Sequence, residues 1–205
     1  MKRIFAAIAA LIICIGASAQ DGLGIIAGFT SSQVNIKESF NTKSVAGFRA
    51  GLAYNIPIAA GFALQPEVVY NVKGSLVSDT EGKVSDFTTK MQYVEVPLQL
   101  QYNLDLMLLK PFVFVEPFVG YALSGDTWIS GSSKEDFKFD GDNLLARLEY
   151  GFSAGAGLCL FDALQLSVKY FWNMEDPKNY FKDVKDGFDS RRSFDGLTFS
   201  VGFFF

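Results

Sequence analysis

The chain has 205 residues, 49% hydrophobic and 15% aromatic, with 21 Phe, two Cys and no His, a length that fits one domain. Its formal net charge of −4 argues against a nucleic-acid partner, because phosphates attract basic surfaces. Without His it lacks the side chain that titrates nearest neutrality, and no ligand cluster surrounds either cysteine, so no catalysis, cofactor or metal is expected.

Lys2 and Arg3 form a positive n-region, Ile4 to Ile15 an apolar h-region, and Ala17-Ser18-Ala19 an A-x-A cleavage site. That is the pattern of a secretory signal peptide. About 12 apolar residues are too few for a membrane-spanning helix, which needs about 20. Cys14 follows Ile13, where a lipoprotein signal carries a small residue, so cleavage after Ala19 is the expectation. Loss of residues 1–19 leaves 16 basic and 22 acidic residues, a net of −6, and Cys159 as the lone cysteine.

From residue 22 onward apolar residues alternate with small and polar ones, the period of a strand with one buried face. Eight strands are predicted, over 22–30, 44–54, 61–74, 91–103, 111–124, 145–161, 163–172 and 196–205, and their connections alternate long and short. Outer-membrane barrels show this alternation, with short periplasmic turns and longer extracellular loops. In the seventh strand Leu164, Leu166, Val168, Tyr170 and Trp172 oppose Gln165, Ser167, Lys169 and Phe171; in the fourth, Val94, Val96, Leu98, Leu100 and Tyr102 oppose Tyr93, Glu95, Pro97, Gln99 and Gln101. The predicted fold is all-β: an eight-stranded antiparallel up-and-down transmembrane β-barrel of the OmpA/OmpX kind, spanning 20–205 after a signal peptide at 1–19.

Seven charges lie well inside the predicted strands, away from their ends, Arg49, Glu67, Glu95, Glu116, Arg147, Glu149 and Lys169, all on the parity opposite the apolar stripe. Buried charges persist when paired or hydrogen-bonded, so these seven are expected to form a structural network in the lumen. Glu95 and Glu116 are expected to share Arg147, whose planar fork can hold two carboxylates. A soluble lipocalin-type barrel would also alternate. Here the polar face is rich in Gly, Ser, Ala and Gln rather than Lys and Glu, which suits a narrow lumen better than a wet surface. Tyr54, Tyr70, Tyr102, Tyr121, Tyr170, Trp172, Phe203 and Phe205 sit near strand ends, as interfacial girdles do.

The stretches YVEVPLQLQYNL (Tyr93 to Leu104), KPFVFVEPFVGYALSG (Lys110 to Gly125) and YGFSAGAGLCL (Tyr150 to Leu160) resemble the PorT-like, porin-family small outer-membrane β-barrel proteins of Bacteroidetes-type bacteria. The resemblance covers most of 22–205 and includes the terminal aromatic. It implies an outer-membrane location and, for the member that gives the family its name, a link to protein secretion across the envelope. It defines no functional residues here.

The expected function is that of a non-enzymatic outer-membrane barrel with a structural or surface-interaction role through long extracellular loops. A component of a secretion or assembly machine is the alternative, and a small passive pore a third. Expected partners are outer-membrane lipid, the barrel-assembly machinery (with Phe203 and Phe205 as the C-terminal assembly signal) and a protein at the extracellular loops. Asp136, Asp140 and Asp142 match no calcium-loop motif. The aromatic and charged stretch Asn173 to Asp195 is expected either to plug the barrel mouth or to contact a partner.

Overall fold

In the computed structural model the described residues are 22–35, 40–79, 87–106, 109–129, 135–136, 148–174 and 193–205. Eight of the ten strands make the wall: β1 (Leu23–Asn35), β2 (Phe40–Tyr54), β4 (Phe62–Asp79), β5 (Phe87–Asn103), β6 (Leu109–Ile129), β8 (Leu148–Leu160), β9 (Leu164–Asn173) and β10 (Ser193–Phe204). Every adjacent pair is antiparallel, and the β1–β10 and β2–β4 pairings close the sheet into a barrel. Two short pieces are added: β3 (Ile56–Ala59) folds back on β4, and β7 (Glu135–Asp136) pairs with Asp126 and Thr127 of β6.

Alternation along each strand sorts side chains into an outer and an inner set, because successive Cβ atoms point to opposite faces. On β10 the outward Leu197, Phe199, Val201 and Phe203 are exposed, while Thr198, between them, is buried. Phe29 is 76% exposed on the outer face of β1. Such an apolar exterior is stable only against hydrocarbon, so this belt is the lipid-facing surface.

The strands run longer than the sequence pattern suggests. β4, β5 and β6 have 18, 17 and 21 residues, whereas about 9–11 cross a bilayer. Past the membrane both faces of the ladder are wet, so the apolar alternation stops while the hydrogen bonding continues. At the opposite end the turns are tight. The β8–β9 turn places Phe161 and Asp162 at φ 54 and 57, and the turn before β4 places Ala60 and Gly61 at φ 51 and 84. Two successive positive φ values match the twist of a hairpin, which is why Asn-Gly is favoured in such turns. A non-glycine residue there costs about 1–2 kcal/mol.

Candidate functional site

The distinctive part of the molecule is its lumen, which side chains fill at each level. The inward residues of β6 are large: Phe112, Phe114, Glu116 and Phe118. Across the ladder they face Gly157, Gly155, Ser153 and Gly151 of β8. A Cβ at Gly155 would meet the Phe114 ring at 2.6 Å, so the small residues of one strand make room for the rings of the next.

Toward the short-turn end the lumen is closed by amides. Gln65 accepts from Asn55 at 3.0 Å and from Gln101 at 2.9 Å, and Asn55 also donates to Gln101 at 3.1 Å. Above them Arg49 pairs with Glu67, which also accepts from Gln65 at 2.8 Å. Lys169 pairs with Glu116, which accepts from Gln99 and Ser153, each at 2.9 Å.

Nearer the long-loop end, the Lys73 ammonium lies 2.8 Å from both Glu95 and Glu149. It also stands 5.1, 4.8 and 4.9 Å from the ring centres of Tyr93, Phe118 and Phe171. Cations are attracted to aromatic faces at such distances. Asn71 donates to both oxygens of Glu95 at 3.0 Å, and Asn173 donates to Glu149 at 2.7 Å. Met91, Ala122 and Phe194 complete an apolar cluster with the three rings.

All eight oxygens of Glu67, Glu95, Glu116 and Glu149 therefore accept a hydrogen bond. This saturation is what a buried carboxylate requires.

Of the seven interior charges read from the sequence, six are buried here: Arg49, Glu67, Glu95, Glu116, Glu149 and Lys169. Arg147 lies outside the described residues. Among the described residues Glu95 pairs with Lys73 and Glu116 with Lys169; the expected sharing of Arg147 by the two carboxylates falls on a residue outside them. Lys73, 1% exposed, was absent from that set because the predicted strand stopped one residue after it. Its parity with Glu67 and Asn71 along β4 is the signal that marks it as inward.

Phe203 faces lipid, and the Phe205 amide donates to the Leu23 carbonyl at 2.9 Å. Of the Asn173–Asp195 stretch, Asn173 and Phe194 are buried in the lumen, Asp195 is buried on the outer side, where it accepts from the Tyr170 hydroxyl, and 175–192 lie outside the described residues. Asp140 and Asp142 also lie outside them. Among the described residues no group of three or more His, Cys, Asp and Glu is placed to hold a metal ion.

Residues 19–178 match the model of a family described as the outer membrane protein beta-barrel domain. The chain belongs to this family. As an outer membrane protein beta-barrel domain it resides in the outer membrane, and its aromatic girdles mark the two interfaces. Tyr54, Phe62 and Tyr102 stand at the short-turn end, with the Phe62 and Tyr102 ring centres 5.0 Å apart. Tyr170 and Trp172, 4.8 Å apart, stand at the other end of the lipid-facing belt.

On the outer wall between them runs an apolar groove of about 500 Å³, lined in part by Tyr102, Val113, Ala156 and Val168. It forms because Ala156 stands between the bulkier Val113 and Val168 in the ladder.

No curated protein compared with the chain matches it. Among solved structures the barrel is similar to Neisserial surface protein A, NspA, at 14% identity over 90% of this chain and 97% of that one, TM-score 0.48. It is also similar to Ail, the attachment invasion locus protein of Yersinia pestis, in complex with the heparin analogue sucrose octasulfate. That likeness has 12% identity over 91% of this chain and 100% of the other, TM-score 0.46. A third similar structure is the outer membrane enzyme PagL, at 11% identity over 87% of this chain and 97% of that one, TM-score 0.46. None of these likenesses is high enough to assign a function.

Proposed function

We propose that this protein is a sealed, non-enzymatic outer-membrane barrel that holds surfaces for interaction at the two ends of a non-conducting wall. The observation that carries this reading is the lumen itself. Gln65, Gln101, Glu116, Lys73, Tyr93 and Phe118 are buried at successive levels of a narrow barrel. An interior of about eight strands is just wide enough for side chains to fill. In planar bilayers the purified protein is expected to give no stepwise conductance; steady single-channel openings would overturn the sealed reading in favour of a passive pore.

A second reading, a component of an envelope secretion or assembly machine, is supported by the resemblance to PorT-like barrels. In that case the protein leaves native membranes with stoichiometric partners rather than alone. Barrel-assembly machinery would recognise the C-terminal Phe203 and Phe205, and a surface partner would meet the long connections. Export through cleavage after Ala19 predicts a mature chain beginning at Gln20. N-terminal sequencing of the purified protein checks it, and a retained Met1 or a lipid-modified Cys14 would count against it.

A further inference from the structure

We propose that the apolar groove on the outer wall is a binding site for one acyl chain of a phospholipid in the periplasmic leaflet. The site lies on the lipid side of the wall, separate from the sealed lumen and from the surfaces at the two ends.

The ladder gives the groove its direction. Tyr102 pairs with Val113, Val113 with Ala156 and Ala156 with Val168, so four adjacent strands contribute one row of outward side chains. Leu158 and Leu166, paired with each other two residues nearer the short turns, stand on the opposite bank. Between the banks the floor is the backbone of Gly157, whose inner side the Phe112 ring occupies.

Strands of such barrels tilt by about 35–45°, so a row perpendicular to them climbs obliquely through the membrane. Three strand spacings of about 4.8 Å make the row about 14 Å long. The tilt converts that length into roughly 9 Å of depth. The groove therefore starts at the girdle, at Tyr102, and ends near mid-membrane, at Val168. It stays within the roughly 15 Å of a single leaflet, half of the hydrocarbon core. A phospholipid chain has the same polarity, with its ester end at the interface and its methyl end at the midplane. The short turns of these barrels are periplasmic, which fixes the leaflet.

The dimensions select a single chain. A volume of about 500 Å³ over about 14 Å leaves a trough roughly 6 Å wide and 6 Å deep. Hydrocarbon carbons pack about 3.5–4.0 Å apart, so one chain fills that section and two abreast do not. A second barrel would rest on the banks, because facing sheets stand about 10 Å apart. Apolar surfaces have no hydrophobic drive to associate within hydrocarbon, so van der Waals contact decides what stays. A chain in the trough touches protein on three sides, whereas a chain on the convex wall touches it on one. The trough is continuous with the lipid-facing belt, so a chain enters it without leaving the bilayer.

Photolabelling tests this with the purified full-length protein in vesicles of phosphatidylethanolamine and phosphatidylglycerol. The probe is a trace of phosphatidylethanolamine carrying a diazirine on one acyl chain, near the ester in one preparation and near the methyl end in another. Adducts of the first are expected to concentrate at 102–104 and 111–113, and those of the second at 156–158 and 166–168. Adducts spread over the whole outer wall in proportion to exposure, or the two probes reversed along the groove, would overturn the proposal. Ala156→Phe puts a ring in the trough and should lower the groove adducts at least about tenfold, because the chain loses its contacts with the floor. Ala27→Phe, on the outward face of β1, should leave them unchanged. Groove adducts indifferent to Ala156→Phe would sink the idea equally. So would their loss as the protein-to-lipid ratio rises, which would assign the trough to a second copy of the chain. The wild-type adduct maps decide the matter even where Ala156→Phe does not fold.

Discussion

Lys73→Met should destabilise the folded barrel by about 3–5 kcal/mol, the usual consequence of removing one partner of a buried ion pair. Among the described residues the ammonium is the cation nearest both Glu95 and Glu149, each at 2.8 Å and each almost wholly buried. Methionine fills a similar volume and suits a box of Tyr93, Phe118 and Phe171. The loss is therefore electrostatic, with little cavity contribution. It follows that Lys73→Met combined with Glu95→Gln and Glu149→Gln should recover more than half of it, because the stranded negative charge is then gone. Heat-modifiable gel mobility reports the folded fraction, and urea titration in detergent supplies the magnitude. If the triple variant is no more stable than Lys73→Met alone, the three residues are not one network, and the aromatic box is the larger contribution of Lys73.

Val168→Arg should cost about 2–4 kcal/mol, the range for a cation on the lipid face near the bilayer midplane. Val168 lies midway between Leu164 and Trp172 on β9, pairing with Phe199 on one side and Ala156 on the other. All three point outward. Leu148→Arg is the matched comparison. Leu148 is the first residue of β8, opposite the girdle residue Tyr121, where the same charge should cost about 0–1 kcal/mol. Folding into lipid vesicles, followed by urea titration, measures both. Equal effects at the two sites would mean that the outer wall is not graded in depth as a bilayer requires. No effect at Val168 would mean that the outer face meets water.

Much of this architecture is legible in the residues. A strand alternates its faces with period two whatever its neighbours are, so the outward Leu164, Leu166 and Val168 and the inward Lys169 follow from local pattern alone. The interior position of Arg49, Glu67, Glu95, Glu116 and Glu149 follows in the same way. β6 is harder to read, because Phe112, Phe114 and Phe118 are as apolar as the outward Val113, Val115 and Val119. Only the ladder to Gly157, Gly155 and Gly151 shows that its inner rings have a place to go.

Strand ends were legible only where the membrane ends. β1 continues to Asn35, and β10 starts at Ser193 rather than 196. Beyond the lipid the two faces are both wet, and the contrast that marks a strand disappears.

The amino-acid sequence by itself determined the class of the molecule: short alternating strands, alternating turn lengths, a lipid-facing stripe and charges on the other face. Each of these is a property of one strand or one connection. The tertiary structure alone decided which charge meets which. Lys73 and Glu149 are 76 residues apart, on β4 and β8, which share no hydrogen-bonded edge. Their meeting depends on the tilt and stagger with which the closed barrel brings distant strands to one level. Parity says only that a side chain points inward; closure sets its height in the lumen, and height selects the partner.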